Sequence, residues 1–339
     1  MKKLALVMAL IMLPVFSLFG LAGCNSGSKL EVIKLSEVTH SVFYAPMYIA
    51  QNKGYFADEG LEVQISNGNG SNNVMTAVIS GQVDIGLVGP ETVIYNAVAN
   101  NKDKPKVFGQ LTACDGSFLI SRDNEIGWEP SDVAGKTIVA GRRGGMPAMT
   151  LQYGLHLAGM EAGTDYTLDL GVDFGLVAGA FEGGRGDYCT MFEPTASAYE
   201  SEDKGYIVAS VGELGGTVPY TAFVANEKFL EDKALTSEKF LRAIYRGYAY
   251  LMSANIDDVV EAVMPSFVGS NQNHIKSAIL NYMDIGAFAY SPVMTESSYE
   301  RLIEIVKFAG ELDANADVDF DEVIDNTLAK KVVKYFEMF

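Results

Sequence analysis

Short apolar strands alternate with amphipathic helices along residues 30–112, and the same alternation starts again near residue 137. The first round reads as strand 30–38, helix 45–56, strand 61–66, helix 73–81, strand 83–88, helix 91–100 and strand 106–112. The helix 45–56 puts Ala45, Tyr48, Ile49 and Tyr55 on one side, and Leu61, Val63 and Ile65 alternate strictly in the strand that follows. Strands separated by helices of this length pair in parallel through crossover units. The second round predicts strand 137–140, helix 147–158, strand 165–170, helix 177–181 and strands 188–192, 207–211 and 220–225. The last third is helical, over 238–254, 256–264, 272–282, 296–312 and 320–336. Phe240, Leu241, Ile244, Tyr245, Tyr248 and Leu251 repeat at helical spacing there, as do Tyr299, Leu302, Ile303, Val306 and Ala309 behind an N-cap at Thr295. The expectation is an α/β protein of two lobes with a helical C-terminal tail. Lobe 1 is assigned 30–114 plus 219–339 and the inserted lobe 2 is assigned 115–218, with crossings near 112–121 and 214–222.

Ahead of this pattern, Lys2 and Lys3 precede an apolar run from Leu4 to Gly23, interrupted by Pro14 and Ser17. A run of that length is enough to span a bilayer. Pro14 in its middle and the ending Leu21-Ala22-Gly23-Cys24 point instead to a cleaved export signal. The tetrapeptide resembles a bacterial lipoprotein signal, which implies residues 1–23 as signal peptide, lipidation of Cys24, and 24–29 as a tether containing Asn25-Ser26-Gly27-Ser28. The rest of the chain is then expected outside the cytoplasm, anchored by lipid at the outer face of the membrane.

The chain of 339 residues carries a formal charge of −18, or −20 without Lys2 and Lys3. So acidic a surface disfavours a phosphate backbone, so no nucleic-acid partner is expected. Cys114 and Cys189 lie in apolar surroundings and are expected as buried free thiols, with a disulfide between them as the alternative. Cysteines and histidines (His40, His156, His274) lack metal-ligand spacing, and neither a metal nor a cofactor is expected.

Five segments then narrow the reading. Residues 44–56 read Tyr44-Ala45-Pro46-Met47-Tyr48-Ile49-Ala50-Gln51-Asn52-Lys53-Gly54-Tyr55-Phe56 and lead into Glu59-Gly60-Leu61-Glu62-Val63. Gly81-Gln82-Val83-Asp84-Ile85-Gly86, Asp132-Val133-Ala134-Gly135-Lys136-Thr137-Ile138, Gly186-Asp187-Tyr188 and Phe192-Glu193-Pro194 follow in order. Together they resemble the nitrate, sulfonate, taurine and thiamine-pyrimidine-precursor group of ABC-transporter binding proteins. The resemblance implies a two-lobed, type II periplasmic-binding fold that clamps a small molecule by hinge closure. It also implies an ABC permease as partner, a monomeric binding protein and no catalysis.

Ligands of open α/β sheets lie beyond the carboxyl ends of the strands. The loop after the first strand offers His40, Phe43 and Tyr44, with Phe43 able either to cover a planar ligand or merely to pack. Asn69, Ser71 and Asn72 follow the second strand, and Glu91 and Thr92 follow the third, where Glu91 serves a helix dipole or an amino group of the ligand. Arg142 and Gly144 belong to a glycine-rich loop opening a helix, which lacks the GK[ST] of a phosphate-binding loop. Asp115 and Tyr220 stand at the two crossings. Phe192 and Glu193 form the turn resembling the family's, and Glu193 is the leading contact. Glu91, Asp115 and Glu193 with the aromatics favour a thiamine-type pyrimidine or another amino-bearing heteroaromatic. Arg142 and the helix N-termini favour a sulfonate or carboxylate. A thiamine-pyrimidine synthase-like enzyme and an adhesin or sensor domain stand as readings from other classes.

Overall fold

The computed structural model describes residues 29–99 and 104–338, so the expected export signal, Cys24 and most of the expected tether lie outside the described residues. The first sheet takes β1 (Glu31–Glu37), β2 (Leu61–Asn67), β3 (Ile85–Val88), β4 (Pro105–Thr112) and, much later, β10 (Thr221–Asn226). Its order is β2-β1-β3-β10-β4. β1 pairs in parallel with β2 and β3, and β10 runs antiparallel between β3 and β4. The second sheet contains β5 (Ser117–Ser121), β6 (Thr137–Val139), β7 (Thr167–Asp169), β8 (Tyr188–Phe192) and β9 (Tyr206–Ser210), in the order β7-β6-β8-β5-β9. Here too three parallel strands are followed by an antiparallel one, β5, pairing β8 and β9. The chain leaves the first sheet after β4 and returns to it at β10. The crossings are locked together where the Thr112 and Thr221 hydroxyls meet at 2.8 Å and the Thr221 N–H donates to Thr112 Oγ1 at 2.9 Å.

Helices α1 (Ala45–Asn52), α2 (Tyr55–Asp58), α3 (Ser71–Ile79) and α4 (Glu91–Val98) connect the first sheet. The single helix expected over 45–56 is broken, because Gly54 takes a left-handed φ of +75° that turns the chain between α1 and α2. Around the second sheet lie α5 (Met146–Leu157), α6 (Val177–Glu182), α7 (Thr195–Ser201) and α8 (Val211–Gly215). β5 occupies a stretch read from sequence only as a crossing. Its five residues are all buried, so they carry no alternation to reveal it.

The tail comprises α9 (Glu227–Asp232), α10 (Ala234–Ser253), α11 (Ile256–Val263), α12 (Gln272–Asp284), α13 (Glu296–Phe308), α14 (Phe320–Val323) and α15 (Thr327–Glu337). The Thr295 side chain caps α13 by accepting from the Ser298 N–H, as expected. The helix expected over 320–336 is two helices. Ile324 is extended, and the Asn326 side chain bonds both the N–H and the C=O of Met294, at 3.1 and 2.8 Å. The tail packs on both sheets' helices: α10 lies on α1, whereas α12 meets α7 and α13 meets α5.

Gly247 shows how closely α10 seats on α1. A Cβ there would stand 2.1 Å from the Pro46 carbonyl oxygen, which is backbone and cannot swing aside. A glycine inside a helix costs up to about 1 kcal/mol relative to alanine, so the close approach is what retains it. Gly247→Ala should nevertheless destabilise the protein by about 1–3 kcal/mol through overpacking. A melting temperature equal to wild type would show that the two helices separate without cost.

Candidate ligand-binding cleft

Both sheets direct the carboxyl ends of their parallel strands at one cleft of about 520 Å³. Val38, Thr39, Ser41, Phe43 and Tyr44 come from the turn after β1. Asn69 to Ser71 follow β2, and Gly89 and Glu91 follow β3. The facing wall is Ala140 to Arg142 and Gly145 to Pro147 after β6, Asp173 to Gly175 after β7, and Phe192 at the end of β8. Tyr220 and Thr221, at the start of β10, complete it. A cavity of this size suits one small organic molecule.

Aromatic rings dominate the floor. Phe43 is seated in the crossing, where a Cβ on Gly116 would lie 2.7 Å from its ring. Its centroid is 5.7 Å from Tyr220, 5.9 Å from Phe192 and 4.8 Å from Tyr282, so it links both sheets to α12. Phe174, 46% exposed, lines the cleft in an edge-on contact with Phe192 at 5.3 Å. Burial pushes the Tyr44 and Tyr220 hydroxyls far above their ordinary titration range, so both stay neutral donors.

Two charges of opposite sign mark the walls. Glu91, at the first position of α4, is 4% exposed, and its Oε2 has no hydrogen-bond partner in the protein. The carboxylate folds back over Gly89, where a Cβ would fall 2.0 Å from it. Burial pushes its carboxyl up to about 7, opposed by its own backbone N–H and by the Arg142 guanidinium opposite. Arg142 is exposed, and its guanidinium donates to the neighbouring Arg143 carbonyl at 3.3 Å.

Residues 42–255 match the family model described as NMT1/THI5 like. A Bacillus subtilis protein designated binding protein YtlA is 36% identical over 318 residues, covering 94% of this chain and 95% of its own. The chain belongs to the NMT1/THI5-like family. Within its reach are a formylaminopyrimidine-binding protein of Halalkalibacterium halodurans, 25% identical over 264 residues (72% of this chain, 74% of that one). A 4-amino-5-hydroxymethyl-2-methylpyrimidine phosphate synthase of Aspergillus parasiticus is 27% identical over 223 residues, 62% of this chain and 64% of the enzyme. The fold is that of the periplasmic binding proteins: the aliphatic sulphonate binding protein SsuA of Escherichia coli superposes with a TM-score of 0.68 at 15% identity, over 87% of this chain and 97% of that one. No helix among the described residues is long and apolar enough to cross a membrane.

Against this family's cleft, the residues anticipated from sequence divide. Phe43, Tyr44, Asn69, Ser71, Glu91, Arg142, Phe192 and Tyr220 line it. Six others stand elsewhere. Glu193 is 2% exposed and holds structure together: its carboxylate accepts from the Ser197 N–H at 3.0 Å, the Ser197 hydroxyl at 2.7 Å and the Asn281 amide at 2.5 Å. Asp115 is fully buried at the turn into β5, accepting from the Ser117 N–H and hydroxyl at 2.7 and 2.6 Å, and burial pushes its carboxyl up to about 6. His40 turns outward, with one ring nitrogen 2.9 Å from Glu37 and the other 2.8 Å from the Ser266 carbonyl, while Phe267 stacks on it. The hydrogen bond to Glu37 holds its imidazolium above the ordinary histidine range. Thr92 donates to the Gly89 carbonyl at 2.8 Å, Asn72 is exposed on α3, and Gly144 faces Glu311 of the tail. These six are absent from the cleft lining although each lies in or beside a loop that follows a strand.

Asp173, Phe174 and Gly175 were not singled out from sequence, although the rule that placed the other loops applies to them equally. Their strand, β7, is only three residues long, which hides the loop's position. Cys114 and Cys189 are buried and unpaired, as expected.

Proposed function

We propose that this chain is the extracytoplasmic solute-binding component of an ABC importer. It captures an amino-bearing heteroaromatic molecule of the thiamine-pyrimidine type between its two lobes. The observation that carries the ligand class is the pairing of aromatic walls with Glu91, a buried residue of the cleft lining whose carboxylate keeps one oxygen without a protein partner. A planar ring fills the space between aromatic faces, and an amino group supplies the donor that a buried carboxylate otherwise lacks. Kinship to a formylaminopyrimidine-binding protein supports the same class. Closure of lobe 1 (30–114 with 219–339) on lobe 2 (115–218) would bury the ligand and form the joint surface read by the permease. The protein acts as a monomer held at the membrane through a lipid on Cys24.

Arg142, near the N-terminus of α5, favours a second reading, a sulfonate or carboxylate ligand. A synthase-like enzyme is the third. Binding of a pyridoxal cofactor would call for an imine-forming lysine, and among the described residues lining the cleft there is no lysine, histidine or cysteine.

Thermal shift and calorimetric titration of the purified protein separate these readings. With 4-amino-5-hydroxymethyl-2-methylpyrimidine or formylaminopyrimidine, one molecule should bind per chain and leave unaltered by mass spectrometry. At a hundredfold excess over Kd the protein should gain about 2.7 kcal/mol. Stabilisation by aliphatic sulfonates alone would transfer the assignment to the second reading, and turnover would transfer it to the third.

A further inference from the structure

Glu91 poses a problem that the ligand class alone does not solve. A buried carboxylate without a partner is costly, so before capture it must either carry a proton or draw on a counter-charge. The groups around it offer little charge. Tyr44 and Tyr220 approach from the first turn and from β10, both neutral, and Tyr95 follows one turn later on α4 with its own hydroxyl buried and unpartnered. Arg142 faces it from the second lobe, while Asp173 on that lobe and Glu311 of the tail add negative charge nearby. Arg142 lies exposed at the cleft edge, and no ion pair joins it to Glu91 among the described residues. Glu91 is therefore the buried ionisable group of the cleft lining, whereas Asp173 and Arg142 keep their charges exposed.

We propose, building on the ligand class above, that Glu91 grips an aminopyrimidine edge through two hydrogen bonds that hold a single shared proton. One carboxyl oxygen accepts from the exocyclic amino N–H, and the other faces the adjacent ring nitrogen with the shared proton between them. Whether that proton resides on oxygen or on nitrogen, the complex holds one proton and no net charge at this contact. No other bond changes. A neutral pair suits a buried, aromatic enclosure better than a lone carboxylate or a lone pyrimidinium does. The ring nitrogen of a 4-aminopyrimidine is a base of about imidazole strength, and burial brings Glu91 into the same range, so neither partner dominates.

Proton bookkeeping makes the idea measurable. At alkaline pH the free protein has an ionised Glu91 and the free ligand is neutral, so capture takes up one proton. At acid pH both are protonated, so capture releases one. Affinity for 4-amino-5-hydroxymethyl-2-methylpyrimidine should peak near neutrality and fall by about tenfold per pH unit on each side. Calorimetry at pH 8 in two buffers of different ionisation enthalpy should count about one proton taken up per ligand. Glu91→Gln should bind with no uptake and lose the alkaline decline, because its amide already offers both a donor and an acceptor. The 4-oxo analogue, which lacks the amino donor, should bind the wild type about a hundredfold more weakly.

Binding of the aminopyrimidine by wild-type protein with no proton uptake at pH 8 would overturn the shared proton and leave the ligand class intact. Binding of neither pyrimidine at any pH would overturn the ligand class, and the shared proton with it. The wild-type proton count needs no variant, so a poorly folded Glu91→Gln would not blunt the test.

Discussion

Glu193→Ala should lower the stability of the protein by about 3 kcal/mol, a drop of roughly 5 °C or more in melting temperature for a chain of this size. The carboxylate is buried and accepts three hydrogen bonds, two from Ser197 in the first turn of α7 and one from Asn281 on α12. The Glu193 N–H donates in turn to the Tyr282 hydroxyl at 3.0 Å. Alanine deprives the Ser197 N–H of its acceptor and leaves the half-buried Asn281 amide the longer bond to the Ser197 hydroxyl at 3.3 Å, and each lost bond costs about 1–3 kcal/mol before relaxation. Because α12 belongs to the tail and α7 to the second sheet's helices, the loss also loosens a tie between them. Affinity of the remaining folded protein for its ligand should change less than about threefold, since Glu193 does not line the cleft. Urea denaturation and ligand titration on the same preparation check both halves. Intact stability with lost affinity would return Glu193 to the ligand.

The second large effect is set by pH. Glu91 in the folded protein titrates at about 7, against 4.5 for the unperturbed group. The native state therefore holds a proton that the unfolded chain releases between those values. Stability falls as pH rises through that window, and the full cost, on the order of 3 kcal/mol at about 1.4 kcal/mol per unit, is present above it. Glu91→Gln carries no titrating group and escapes the cost. Ligand-free Glu91→Gln should match wild type at pH 4 and exceed its stability by about 3 kcal/mol at pH 8, the gap opening between pH 4.5 and 7. Melting curves of both proteins across that range provide the check. Parallel curves would mean that Glu91 is solvated in the free protein.

The candidates that stand outside the cleft lining have a common origin. A sequence shows which residues follow a strand, but not which way a side chain turns once the loop has closed. His40 and Tyr44 lie in one turn, yet His40 faces Ser266 and Phe267 of the tail while Tyr44 faces the cleft. Glu193 follows Phe192 directly, and only Phe192 reaches the cleft, because Ser197 and Asn281 capture the carboxylate. The partner that decides Glu193 lies 88 residues away in the chain. No local pattern carries that information. The same holds for Gly247, whose need for a missing side chain comes from the Pro46 carbonyl on another helix.

Periodicity alone was enough to place the alternating strands and helices, the restart of the pattern, the helical tail and the cap at Thr295, because each depends on neighbours within a few positions. Five short segments in register were enough for the family, because they record how strands end and helices begin. The antiparallel strand β5, the break at Asn326, the tail's hold on both sheets and the division of fourteen candidates into lining and supporting residues came only from the tertiary structure. These depend on contacts between distant parts of the chain, where a buried hydrogen bond or a close backbone approach outweighs any local preference. The cleft's chemistry lies across that divide. Glu91 was legible as an acid after a strand, but its burial with one oxygen left unpartnered, which makes it the site's sharpest feature, exists only in the folded cleft.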